Sequence, residues 1–131
     1  ETMRLGVQPS IHVTSSRYSE SDFEARNTTA KKNARWWSRV AVRSGYGSGV
    51  IICAAVDAPV IKEMNPNFIV YATGAILGDH PEVEPHNIRH ERWIEMEKVR
   101  DSVDVFIIGS PITKSRNVRQ AFIERLDVAR G

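Results

Sequence analysis

A chain of 131 residues is long enough for one compact domain, and we expect residues 1–131 to fold as a single domain. Its 41% hydrophobic and 26% charged residues are ordinary for a globular protein, and a net charge of +2 is too small to indicate a nucleic-acid or membrane partner. No stretch approaches the roughly 20 apolar residues of a membrane span. Cys53 is the single cysteine, so no internal disulfide can form, and we expect a reducing, cytoplasmic location.

The first half of the chain has the pattern of alternating strands and helices. "IHVTSS" alternates apolar and polar residues before it becomes hydroxyl-rich, which predicts a strand over about 10–15. Apolar residues at spacings of three and four predict a helix over 29–43, and the apolar run 49–55 predicts a second, covered strand. Asp57 is expected to cap a short helix that stops before Pro66.

The second half continues this alternation. The predicted elements are a strand over 67–74, a loop over 75–87, a helix over 88–102, a strand over 103–109 and a helix over 118–129. The loop is rich in Gly, Asp, Pro and His and is a candidate lid over a binding site. The whole order predicts an α/β fold of four parallel β/α units, in which ligands bind at the carboxyl ends of the strands.

Several reactive side chains have simple structural interpretations. His86 and His90 are four residues apart and could hold a zinc ion together with His80, but neither a second cysteine nor an HExxH motif supports this. We therefore expect a solvated loop there, with no metal ion and no cofactor. Cys53 lies in an apolar run and is expected to be a packing residue, because nothing nearby in sequence lowers its pKa.

The tryptophans and the basic helix leave alternatives open. Trp36, Trp37 and Trp93 fit either a helix-to-sheet core or a protein interface equally well. The cations of the predicted helix over 29–43 could form a face for RNA, although a solvated helix face is the favoured interpretation; they are Lys31, Lys32, Arg35, Arg39 and Arg43.

Three stretches resemble, in order and approximate spacing, the second half of the orotidine 5'-monophosphate decarboxylases. They are "IHVTSS", "GSGVIICAAVDAPVIKEMNPNFIVYATGAILGDH" and "VDVFIIGSPITKS", within about residues 10–126. The family typically has a hydroxyl-rich strand end, then "GVVCSA", then "TPGI" followed by "GDQ", and finally "VGRPIT". The resemblance implies the last four β/α units of the family, which form half of a TIM-type barrel.

The resemblance also implies a ligand site at the carboxyl ends of the strands, for a pyrimidine nucleotide monophosphate or another phosphorylated small molecule. The implicated residues are Ser15, Thr73 and Gly74 for the substrate, and Gly78, Asp79, His80, Gly109 and Ser110 for its phosphate. A glycine turn beside a helix start is suited to this task, because its backbone N–H groups can bind a dianion.

Departures from the family bear directly on activity. Ser110 stands where family members carry a guanidinium, so a bidentate grip on phosphate is replaced by one hydroxyl and phosphate affinity should fall. The family's "TPG" is "ATG" here. The Lys/Asp catalytic network of the family is built by strands of its first half, so no catalytic residue is expected within this chain.

Two hypotheses about function follow, together with a minor third. The chain is either a decarboxylase-like lyase half that needs Lys and Asp from another segment, or a non-catalytic binding or structural assembly protein. A related sugar-phosphate lyase would share the phosphate corner without the pyrimidine contacts. Because half a barrel exposes two strand edges, we expect a homo-oligomer or pairing with a first-half chain.

Overall fold

The computed structural model describes residues 10–13, 18–78, 81–86 and 88–131. Its strands are β1 (Ser10–His12), β2 (Val50–Ala54), β3 (Ile69–Thr73), β4 (Ala75–Ile76), β5 (Ile94–Glu95) and β6 (Val105–Phe106). Its α-helices are α1 (Glu20–Glu24), α2 (Ala30–Arg43), α3 (Ala58–Met64), α4 (Met96–Val99), α5 (Ser110–Thr113) and α6 (Val118–Arg130). Short turns of 3-10 helix lie at Ala55–Asp57, His90–Arg92 and Arg100–Ser102. Within these ranges, no helix combines the length and apolar character that a membrane crossing requires.

Four of the strands form one parallel sheet in the order β1-β2-β3-β6. Ile51 of β2 lies between Ile11 of β1 and Val70 of β3. Tyr71 of β3 lies beside Val105 of β6. The predicted α/β fold with a four-stranded parallel sheet is confirmed, and β4 and β5 form a separate two-stranded parallel ladder.

The sheet buries one face and leaves the other partly open. Ile51, Cys53 and Val70 are inaccessible to solvent and belong to one core with apolar residues of α2 and α3. Alternate residues of a strand point to the opposite face, and there Ile69 is 39% and Val105 is 38% exposed. Purely parallel sheets are normally covered on both faces, so the open face lacks the covering layer that such a sheet usually has.

The two long helices form where the sequence predicts them. The Thr29 side chain accepts a hydrogen bond from the backbone N–H of Lys32 and so starts α2, which ends just before Gly45 at a positive φ of 85°. Asn117 caps α6 in the same way, through the N–H of Gln120. The predictions of helices over 29–43 and 118–129 are confirmed.

The predicted helix over 88–102 is wrong, because the segment contributes to a strand pair. Ile94 donates its backbone N–H to the carbonyl oxygen of Gly74 at 3.2 Å, and the pairing continues as β4 with β5. Only Met96–Val99 of the predicted helix is α-helical, because the extended backbone before it follows β4. The same pairing makes the first two residues of the predicted loop over 75–87 a strand.

The last strand of the sheet is shorter than predicted. The prediction of 103–109 is correct in position, but ladder pairing covers only Val105–Phe106. Backbone hydrogen bonds continue on both sides, from Asp104 N–H to Val70 at 3.0 Å and from Ile107 N–H to Ala72 at 2.8 Å. The strand therefore runs along β3 far enough to place the Gly109 corner at the carboxyl edge of the sheet.

Candidate functional site

A cavity of about 390 Å³ lies where β3 and β6 end. Gly74 and Ala75 form the wall that follows β3, and the stretch from Ile107 to Lys114 supplies most of the wall that follows β6. Pro85, His86 and Ile88 complete it from the connecting segment. Its volume is within the range of small-molecule sites, and its place at the carboxyl ends of parallel strands is where such folds bind ligands.

The wall combines an apolar surface with a few polar groups. Apolar side chains line most of it, namely Pro85, Ile88, Ile107, Ile108 and Pro111. His86, Thr113 and Lys114 supply polar groups, and no acidic residue is among the described residues that line the cavity. Lys114 is exposed. A ligand with an anionic group and a flat apolar part would match this distribution.

The Ser110 hydroxyl joins the two walls of the cavity. It accepts a hydrogen bond from the backbone N–H of His86 at 2.8 Å and donates one to the carbonyl oxygen of Glu84 at 3.1 Å. The segment 81–86 is thereby held against the start of α5. Because its single hydrogen is already donated to Glu84, the hydroxyl can donate to a phosphate oxygen only by giving up that bond.

The structure brings together three of the predicted site residues. Gly74, Gly109 and Ser110 line the cavity, whereas Thr73 and Gly78 are not among its described lining residues. The Thr73 hydroxyl instead lies 3.4 Å from the carbonyl oxygen of Cys53 and donates to it. Gly78 has a φ of 63°, which explains a glycine at that bend. The remaining predicted site residues lie outside the described residues; they are Ser15, Asp79 and His80.

A second cluster of polar residues lies beyond the ends of β1 and β2. Asp57, expected to cap α3, makes no capping hydrogen bond and instead pairs with the guanidinium of Arg92. Both side chains are buried, at 6% and 3% exposure. Arg92 also reaches Glu20 of α1 at 3.3 Å, while its Nε has no hydrogen-bond partner among the described residues. The cluster anchors the 90–92 turn onto the sheet.

Sequence reasoning missed this cluster because its partners are distant along the chain. Glu20, Asp57 and Arg92 are joined only by the fold. One local signal was present: Ser19 and Asp22 form a capping box, in which Ser19 accepts from the Asp22 N–H and the Asp22 carboxylate accepts from the Ser19 N–H. That motif marks the start of α1, which holds the Glu20 carboxylate near Arg92.

Cys53 lies next to this cluster and is chemically quiet. Burial raises the pKa of its thiol, the Asp57 carboxylate raises it further, and the Arg92 guanidinium opposes the shift. A thiol with a raised pKa is a poor nucleophile, since the thiolate is the reactive form. The predicted packing role agrees with its complete burial.

The histidines and tryptophans are distributed over several surfaces. The His90 ring lies against Trp93, with centroids 4.6 Å apart. In the part of the chain that the structure describes, no group of three potential metal ligands occurs. Trp36 and Trp37 are 53% and 37% exposed and contact each other edge to face, so they are not core residues.

Comparison with known proteins leaves the cavity as the main guide to function. No protein-family model matches the chain, and no curated protein matches it either.

Proposed function

We propose that the chain is the second half of a TIM-type barrel of the orotidine 5'-monophosphate decarboxylase kind. In this proposal it binds a pyrimidine nucleotide monophosphate, or a related phosphorylated small molecule, in the cavity at the ends of β3 and β6. The observation that carries the proposal is that Gly74, Gly109 and Ser110, implicated by the resemblance, line one cavity of about 390 Å³.

The order of the sheet supports the half-barrel part of the proposal. In a TIM barrel each parallel strand neighbours the one before it, with helices on the outer face and ligands at the carboxyl ends. The order β1-β2-β3-β6 with helical crossovers has this arrangement, and the core lies between the sheet and α2 and α3. The open face of the sheet corresponds to the interior of such a barrel.

The chemistry of the cavity supports a phosphorylated ligand. Lys114, an exposed residue of the cavity wall, supplies a cation, and no described lining residue is acidic, so none of these residues repels an anion. Ile88 and Ile107 offer an apolar surface for a flat ring. Since the Ser110 hydroxyl is already engaged in holding the 81–86 segment, we assign phosphate binding to the ammonium group of Lys114.

Decarboxylation needs more than this cavity. The Lys/Asp network of the family belongs to strands of its first half, and the buried pair of Asp57 and Arg92 has no lysine in it. We therefore expect this chain alone to bind nucleotide without catalysing decarboxylation. Activity requires the other half from another segment or chain.

Calorimetric titration with uridine 5'-monophosphate, uridine and inorganic phosphate tests the proposal. We expect the nucleotide to bind more tightly than either fragment, because both the ring and the phosphate have contacts. Lys114→Gln should weaken nucleotide binding by about tenfold or more, since a hydrogen bond to a charged group contributes about 1.5–3 kcal/mol. Lys98→Gln, an exposed lysine on α4, serves as the matched control and should leave binding unchanged.

A substitution at Gly109 tests whether the nucleotide binds in the cavity or elsewhere on the surface. A Cβ atom at Gly109 meets no atom of the described residues within 4 Å, so Gly109→Ala should preserve the melting temperature while narrowing the cavity. Loss of nucleotide binding in this variant supports the site. The proposed site is wrong if no nucleotide binds, or if Lys114→Gln and Lys98→Gln have the same nucleotide affinity. Preferential binding of a sugar phosphate would instead indicate a related lyase.

The open sheet face favours a second candidate function, assembly without chemistry. Ile69, Val105 and Ile107 leave 39%, 38% and 44% of their surfaces exposed, and Phe122 of α6 is 52% exposed. Apolar patches of this kind at a sheet edge mark association surfaces. Light scattering distinguishes the candidates: a stable oligomer that binds no nucleotide favours assembly as the function, and a chain that stays monomeric at high concentration excludes it.

A further inference from the structure

We propose that the groove beside α2 binds single-stranded nucleic acid. The groove is an open cavity of about 620 Å³, separate from the nucleotide cavity. It is lined by four cations, Arg26, Lys32, Arg35 and Arg39, together with Trp36. The small net charge of the chain does not by itself indicate a nucleic-acid partner, but the fold concentrates positive charge and an aromatic surface in one place.

The charge of this surface is strongly one-sided. Helix α2 has five cationic residues and no acidic residue in its sequence. Among the described residues, the Asp22 carboxylate interacts electrostatically with Arg26. The carboxylate of Glu63 on α3 lies 3.7 Å from Arg35, and its side chain is 69% exposed. Such a loose surface pair is worth little and can be exchanged for a phosphate at small cost. An extended polyanion is therefore the complementary partner.

Exposed aromatic rings make the surface more specific than a basic patch. Trp36 is 53% exposed and is braced by Trp37, with ring centroids 4.6 Å apart in an edge-to-face arrangement. Nearby, the guanidinium of Arg26 lies 4.8 Å from the ring centroid of Tyr18, which is 40% exposed. Bases of single strands stack on exposed aromatic rings of this kind.

A single strand fits this surface better than a duplex. Proteins that bind single strands combine a cationic groove for the backbone with aromatic rings for the bases. Paired bases in a duplex are stacked inside and cannot use Trp36. Thr28 and Asn33 also line the groove and supply neutral hydrogen-bonding groups. These features identify the ligand by its chemistry: several phosphates in a row carrying unstacked bases.

Fluorescence anisotropy with labelled twelve-nucleotide oligo(U) and oligo(dT) tests the inference, using the intact chain. If the four cations each contact a phosphate, the logarithm of the affinity should fall with the logarithm of salt concentration with a slope of about −3. Trp36→Ala should weaken binding by about five- to a hundredfold, because one stacked base is lost. Arg39→Ala should reduce the magnitude of the slope by about 0.7.

Matched controls lie on α6, away from the groove. Phe122→Ala removes a ring of similar exposure, and Arg119→Ala removes an exposed cation; neither should change oligonucleotide binding. Lys114→Gln should also leave it unchanged, which separates this surface from the nucleotide cavity. Absence of binding at low salt, equal binding of duplex and single strand, or indifference to Trp36→Ala would overturn the inference. A change of solution mass in Trp36→Ala, without any oligonucleotide binding, would show a protein interface instead.

Discussion

Breaking the buried ion pair between Asp57 and Arg92 should have the largest effect of any single change at the carboxyl edge. The two side chains are 6% and 3% exposed, so removing one partner leaves the other charge buried. Such a change typically costs about 3–5 kcal/mol, against a total stability of about 5–15 kcal/mol for a domain. We expect Asp57→Ala and Arg92→Met each to cost an amount in this range.

The geometry ranks the variants of the cluster. Arg92→Met leaves Asp57 without its cation, whereas Asp57→Ala leaves Arg92 with Glu20, whose side chain is 52% exposed. Arg92→Met should therefore be the more harmful of the two. Glu20→Gln should cost less than about 1 kcal/mol, as exposed ion pairs do. The double variant Asp57→Ala/Arg92→Met should lose less than the two single variants together, since neither charge then remains buried.

Urea denaturation of the four variants measures these differences, with coincident fluorescence and circular dichroism transitions as the check on two-state behaviour. A double-mutant cycle then gives the coupling energy between Asp57 and Arg92. We expect a coupling of about 2 kcal/mol or more. If the effects add to within about 0.5 kcal/mol, the two groups are independent and the argument from the buried pair is refuted.

Three further outcomes follow from individual contacts. Burial raises the pKa of Asp104, but hydrogen bonds from Lys62 and from the Val70 N–H outweigh burial, so the pKa is lowered overall. The native protein should therefore be more stable than Asp104→Asn above about pH 4, and this advantage should disappear on further acidification. Thermal melts of both proteins from pH 2 to pH 7 would contradict this if the difference in melting temperature stayed constant. Cys53, whose thiol pKa is raised by burial, should react with a thiol reagent at pH 8 only after unfolding, and rapid labelling of the native protein would be inconsistent with that burial. Ser110→Ala should cost about 1 kcal/mol and speed amide hydrogen exchange in the 81–86 segment, and unchanged exchange there would mean that the hydroxyl does not hold the segment.

The spacing of apolar residues correctly predicted the elements that pack a single continuous face against the core. The apolar run of β2 and the spacing of Ala34 and Ala41 in α2 directly reflect the faces that the core covers. The helix predicted over 88–102 failed for the opposite reason. Its apolar spacing came from separate contacts of a strand and a short helix, and pairing with β4 outweighed local helix propensity.

In the candidate site, too, some features could be predicted from the sequence and others depend on the fold. Gly74 and Gly109 could be found because a glycine directly after an apolar strand marks the carboxyl edge of the sheet. The contacts of the Ser110 hydroxyl could not, since they join residues far apart in the chain. The groove beside α2 was visible only as a run of cations; the exposure of Trp36 and the position of Arg26 depend on the fold.

The agreement between chain order and strand order also has a consequence for folding. The pair of Val50 and Ile69 has the shortest sequence separation in the four-stranded sheet. The pairs of Tyr71 with Val105 and of Ser10 with Val50 join residues that are farther apart in the chain. Closing the shortest loop costs the least chain entropy, so the unit of β2, α3 and β3 is expected to form the nucleus. Substitutions such as Ile61→Val in that unit should slow folding, whereas changes in β1 or β6 should mainly speed unfolding.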